Sequence, residues 1–294
     1  MIRPTLIAPL VAGGMLACCG GSSKPNLPVD PVMERHADAG QAALALERPE
    51  QAIVQYRSAL ARAYQRDDTA AIGDFGFNLA VAELRAGQSD NALRTARETE
   101  AELGRRGGTP VAALRLMEAV ALYRSGQPAQ ADAVAAQVEG ASDHDAATRA
   151  AFLRGLIADE AGNAVGLRAA LRRMVGAQAP ETEADAAELS ARASLRDGDA
   201  LHARAQAEHA AELRRDLLDY RALARCLALA GKAAAQAGDS DAAARLYLRA
   251  GRSAAEQGDK PAAMRWLNQA IGLSRDPQLT QTARDALAAS KASN

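Results

Sequence analysis

The sequence predicts an all-α chain, an α-solenoid of antiparallel helical hairpins with about fourteen helices between residues 31 and 290. Three observations predict it: a turn phrase that recurs along the chain, the near-regular spacing of that phrase, and the absence of alternating β-branched runs. The phrase is a glycine, a polar residue and an alanine five positions after the glycine. It reads Gly87-Gln88…Ala92, Gly126-Gln127…Ala131, Gly198-Asp199…Ala203, Gly238-Asp239…Ala243 and Gly258-Asp259…Ala263. Gly162-Asn163 repeats the turn with Leu167 in place of the alanine, and Glu47-Arg48-Pro49…Ala52 replaces the glycine.

Each part of the phrase has a physical role. Glycine just past a helix adopts the left-handed backbone that ends it at little cost. An Asp, Asn or Ser beside it caps the exposed amides of the next helix. Pro49, Pro128 and Pro261 stand in a first turn, where a missing amide hydrogen costs nothing. Turns this short force neighbouring helices antiparallel. The markers Ala52, Ala92, Ala131, Leu167, Ala203 and Ala243 are 40, 39, 36, 36 and 40 residues apart. Ala263 follows only 20 residues later, half a repeat. The helix near 240–257 therefore either closes the array early or marks a shift in pairing.

The run from Phe77 to Leu93, Phe77-Asn78-Leu79-Ala80-Val81-Ala82-Glu83-Leu84-Arg85-Ala86-Gly87-Gln88-Ser89-Asp90-Asn91-Ala92-Leu93, resembles the tetratricopeptide repeat, a helix-turn-helix unit of ~34 residues. A second match runs from Tyr247 through Ala250-Gly251 and Gly258-Asp259 to Ala263, Leu267 and Ala270; Gly40, Ala52, Tyr56 and Ala59 make a fair first repeat. The resemblance covers roughly residues 33–275 and implies small residues where paired helices approach closely. Gly76, Arg115 and Glu83 depart from it, standing where large apolar residues are usual.

At the N-terminus, Arg3 precedes a largely apolar stretch from Thr5 to Leu16, too short and glycine-broken to span a bilayer, so residues 1–17 read as a secretory signal. Ending in Leu16-Ala17-Cys18, it resembles a bacterial lipoprotein signal, which implies a lipidated Cys18, with Cys19 as the alternative. Residues 18–31 then form a Gly-, Ser- and Pro-rich tether, reaching on the order of 20 Å. In such lipoproteins an Asp after the lipidated residue signals inner-membrane retention. Cys19 or Gly20 stands there instead, which implies a lipid anchor in the outer membrane facing the periplasm. Residues 32–275 carry the repeats, and 276–294 a C-terminal capping helix from Gln278 to Ser290 with a tail.

Thirty-five basic and 36 acidic residues leave the chain nearly neutral, which argues against nucleic acid as a partner. Cys226 lies far from Cys18 and Cys19, so no disulfide framework is implied, and it reads as a small buried hydrophobe. His202 and His209 share a helix face with Glu208 and Glu212 nearby, but in neither HExxH order nor its inverse; a solvated polar face explains them, and no metal is expected. Asp143-His144-Asp145 reads as a helix start, and Gly231-Lys232 lacks a phosphate-cradling glycine loop. No enzyme signature and no cofactor motif appears.

The family resemblance places a partner-binding groove on the first helix of each pair. It implies an apolar floor of Phe77, Val81, Leu84, Leu116, Val120, Tyr123, Phe152 and Leu156. A basic stretch of Arg149, Arg192, Arg225, Lys232, Arg245 and Arg252 follows. Core packing is the competing reading for Phe77 and Phe152, and Trp266 reads as core. The expected function is a non-catalytic scaffold or adaptor holding a protein or peptide partner, in assembly of an envelope complex. The alternatives are an envelope hydrolase or regulator of peptidoglycan enzymes on a helical scaffold, and a self-associating lipoprotein whose groove holds a neighbouring copy.

Overall fold

The computed structural model describes residues 28–292 apart from 109, 110, 175, 177 and 178. The signal segment 1–17, Cys18, Cys19 and the tether up to residue 27 lie outside the described residues. Two compact units divide the chain after Gln127. The first holds α1 (Pro31–Ala45), α2 (Pro49–Gln65), α3 (Thr69–Arg85), α4 (Ser89–Arg105) and α5 (Ala112–Arg124). The second holds α6 (Pro128–Glu139), α7 (His144–Glu160), α8 (Ala164–Arg173), α9 (Pro180–Asp197), α10 (Ala200–Asp216), α11 (Tyr220–Gln236), α12 (Ser240–Glu256), α13 (Lys260–Leu273) and α14 (Pro277–Ala292). The described residues form fourteen helices and no strand. Within each unit, every helix packs on the next.

The period is set by single helices. They begin at residues 49, 69 and 89 in the first unit and at 200, 220, 240 and 260 in the second. A 40-residue repeat is therefore two 17-residue helices with three-residue connections, as in α2 and α3. It is the helices that have lengthened relative to the ~34-residue family unit. In the connection between α3 and α4, Gly87 is left-handed at φ 74° and the Gln88 amide donates to the Glu83 carbonyl at 2.8 Å. That bond closes a Schellman turn, satisfying a carbonyl the helix leaves open. Asp67 (φ 53°) and Leu218 (φ 58°) hold the same conformation without being glycine. The turn phrase missed those two connections for that reason.

The next residue starts the following helix. Asp68, Asp219, Asp239 and Asp259 each accept an amide hydrogen three residues on, at 3.0–3.1 Å. Asp143 caps α7 in the same way, through Ala146. The first helix reaches further back than the sequence suggests. Pro31, the last residue of the expected tether, is its first residue, and Asp30 is its N-cap, accepting from Val32 and Met33. Arg62 donates to buried Asp30 at 2.7 Å and holds its carboxyl down to about 2. The chain is thereby fixed to α2 just before the first helix.

Seven residues before the turn residue of each phrase read in the sequence there is a buried Gly or Ala. These are Gly40, Ala80, Ala119, Gly155, Ala191, Gly231 and Gly251. At Gly40 a β-carbon would stand 2.9 Å from the Tyr56 ring. The core is built of such close approaches, many alanines and a few larger side chains such as Ile72, Leu114 and Leu189.

Alternate helices also touch, which defines an inner row. In the first unit α3 meets α5; in the second α7 meets α9 and α9 meets α11. Then the row changes: α12 meets α14. The early marker at Ala263 thus records a shift in pairing by one helix. The array does not close there, since α13 and α14 continue the packing. Buried Ala283 seats α14.

Candidate functional site

The odd-numbered helices carry nearly all the residues expected to bind a partner. In the first unit, α3 places Phe77, Val81 and Leu84, and α5 places Leu116, Val120 and Tyr123. Phe77, Val81, Val120 and Tyr123 are half-buried, each keeping some surface. Leu84 and Leu116 are only 5% exposed, so their surface is already used in packing the chain. Phe77 leans on the cluster of Ala63, Ile72, Leu103 and Leu114, so it serves packing and surface together.

In the second unit, Phe152 on α7 is half-buried and Leu156 is buried. The expected basic stretch takes a different form. Arg149 is exposed and pairs with Asp145 of its own helix at 3.1 Å. Arg192 on α9 and Arg225 on α11 turn inward to carboxylates, so they are not free charges on a groove wall. Arg252 lies on α12, outside the odd-helix row, with Arg245. Trp266 is half-buried against the core of the second unit, as expected of a packing residue.

The inward arginines belong to a buried ion network. Glu188 on α9 is fully buried and accepts from Arg225 Nε at 2.7 Å, Arg225 Nη2 at 2.8 Å and Arg192 Nη2 at 2.9 Å. The Cys226 thiol donates to it at 3.6 Å. Arg192 Nη1 also donates to Asp159 on α7 at 2.9 Å, and Asp159 accepts from Arg196 Nε at 2.6 Å. Beside this, buried Arg214 on α10 pairs with Asp185 and reaches Asp219 at 3.3 Å. The network ties α7, α9, α10 and α11 together. Cys226 is buried as expected, yet it also has a polar partner, and burial pushes its thiol up. The first unit has a smaller counterpart: buried Glu83 accepts from Arg57 at 2.9 Å and Thr95 at 2.7 Å.

Burial alone would raise the Glu188 carboxyl, but the Arg225 and Arg192 guanidiniums outweigh it and bring the pKa to about 2. A folded value below the ordinary 4.5 means this stabilisation is complete above that pH and is lost as pH falls towards 2. Asp185 moves the other way: burial raises it to about 6 despite Arg214, so ionising it as pH rises to that point costs stability. Asp185 loses its contribution as pH rises from 3.8 through about 6, while Glu188 gains its own between about 2 and 4.5. Stability towards urea is therefore expected to peak at about pH 4 and to decline from there to about 6. In a Glu188→Gln variant the fall on the acid side should be shallower than in the native chain. An equal acid-side slope in both would rule out Glu188 as its source.

The histidines form no site. His209 Nε2 lies 3.2 Å from Glu183 on α9, and His202 is exposed. Among the described residues no group of three or more His, Cys, Asp or Glu is placed to hold a metal ion.

No protein-family model matches the sequence, and no curated protein matches it. Solved structures do. One is a signal-transduction ATPase with numerous domains and a tetratricopeptide repeat sensor, from Pyrococcus horikoshii. Its TM-score is 0.55 at 13% identity, over 88% of this chain and 42% of that one. The chain has the tetratricopeptide-repeat fold. A tetratricopeptide repeat protein from Parabacteroides merdae is also similar, with TM-score 0.48 and 16% identity over 89% of this chain and all of that one. In tetratricopeptide-repeat terms, the inner row is the first helix of each pair up to α11 and the second helix from α12 onward. The buried network was missed because Arg192 and Arg225 read singly as groove arginines and its acids drew no notice. The available signal was Glu188 and Arg192 at i,i+4, with Asp185 one turn earlier on the same face.

Proposed function

We propose that the chain is a non-catalytic scaffold that holds a partner polypeptide against its inner-row helices in the bacterial envelope. The observation that carries this reading is the half-buried aromatic surface of Phe77 and Tyr123 in the first unit and Phe152 in the second. Large aromatic side chains that keep part of their surface are frequent anchors of polypeptide interfaces. Repeat arrays present such surfaces without needing a reaction centre. The test is co-purification from detergent-solubilised envelopes with the native chain and with the Phe77→Ala/Tyr123→Ala/Phe152→Ala variant. Circular dichroism must first show that the variant keeps its helices. A partner recovered with the native chain and lost from the folded variant is expected. A partner retained by the variant would move the interface off this row.

The envelope location rests on the N-terminal residues, where Cys18 follows an apolar segment ending Leu16-Ala17. Two or more acyl chains would anchor the chain stably. Among the described residues no helix is long and apolar enough to cross a membrane. Cells fed labelled palmitate are expected to label the native chain and the Cys19→Ser variant but not Cys18→Ser. Labelling that follows Cys19 instead would shift the anchor by one residue, and none at all would remove it.

A further inference from the structure

A cleft of about 410 Å³ opens between α10 and α12 with α11 beneath it. Leu223 and Leu227 of α11 form its apolar floor, and Arg215, Arg249, Arg252 and Glu212 line it above. The rim charges are unequal in their commitments. Arg215 pairs with its neighbour Asp216 at 3.6 Å, and both are exposed. Arg249 and Arg252 are exposed on one face of α12 and make no ion pair among the described residues. That sets them apart in an array whose inner arginines are bound to carboxylates. Glu208, also at the cleft, is already bonded to Arg204 at 3.0 Å.

We propose that this cleft docks an extended acidic segment of a partner protein, in which acidic and apolar residues alternate. An extended chain sends successive side chains to opposite faces. One set then fills the floor over Leu223 and Leu227, while the other meets the unpaired guanidiniums of Arg249 and Arg252. Arginine suits this task because its planar fork binds carboxylates in pairs. Glu212 argues against nucleic acid, since a continuous phosphate backbone would be held against a carboxylate. A peptide can answer Glu212 with a basic side chain or leave it to water. Arg252 is expected from the sequence to bind carboxylates, and the cleft gives it that role.

The test uses the purified full chain in an uncharged detergent and two labelled, end-blocked octapeptides, one alternating aspartate with leucine and one alternating lysine with leucine. Fluorescence anisotropy should show the aspartate peptide binding and the lysine peptide not. Replacing Arg249→Gln and Arg252→Gln together should weaken the aspartate peptide about tenfold or more, since charge-assisted bonds are lost. Raising salt should weaken it as well. The control Arg94→Glu, on α4 in the first unit, should leave binding unchanged. Equal binding of both peptides, no binding of the aspartate peptide, or binding that survives the double substitution would overturn the proposal. It can fail separately from the inner-row reading, which concerns Phe77, Tyr123 and Phe152.

Discussion

Replacing Glu188 by alanine is expected to destabilise the second unit by about 3–5 kcal/mol, the usual result of removing one partner from a buried charge pair. The effect is large because the residue is fully buried and satisfies two guanidiniums, Arg192 and Arg225, that come from different helices. Alanine leaves Arg225 without its buried carboxylate and Arg192 with Asp159 alone. Urea unfolding followed by helical circular dichroism measures the loss. A Glu188→Leu/Arg225→Met pair separates charge from packing, since replacing a buried ion pair with apolar residues of similar volume is often close to neutral. If the pair is as unstable as Glu188→Ala, the cost lies in shape and the electrostatic account is wrong.

Gly251→Val should cost about 3 kcal/mol through overpacking. A β-carbon at Gly251 would lie 2.6 Å from Leu267 Cγ and 3.1 Å from the Leu267 backbone nitrogen. The side chain cannot yield easily, because Leu267 is fully buried, and the backbone contact would force α12 and α13 apart. In a repeat array each helix leans mainly on its neighbours, so the damage should be local. Hydrogen exchange is expected to quicken in α12 and α13 and to stay unchanged in α2. As a control, Gly104→Ala on α4 meets no atom within 4 Å and should stabilise by about 1 kcal/mol from helix propensity alone. Uniform quickening throughout the chain would contradict the nearest-neighbour picture.

The contrast between these two sites shows what a sequence makes visible. Gly251 could be found because the requirement is local: a small residue at a fixed distance before a turn, repeated at Gly155 and Gly231. The helices, their antiparallel order and most turns followed from similar local rules. Glu188 could not be found that way. Its partners come from α9 itself and, through Arg225, from a helix 37 residues on, and a buried charge looks like a surface charge until that helix is placed. The expected groove was partly legible for the same reason. Helix assignment was local, but whether Leu84 or Leu116 faces a partner or the core depends on how closely α3 and α5 stand.

One further consequence follows from helices that begin every 20 residues, in each unit, after the same left-handed turn. The natural unit of change in this architecture is one helix, whereas the family resemblance suggests two. Adding or removing a single helix reverses the parity of everything after it, exchanging which of the later helices touch one another in the alternate-helix row. The chain carries such a reversal between α11 and α12. Arg252, which the family resemblance placed on the first helix of a pair, stands on the far side of it, on α12.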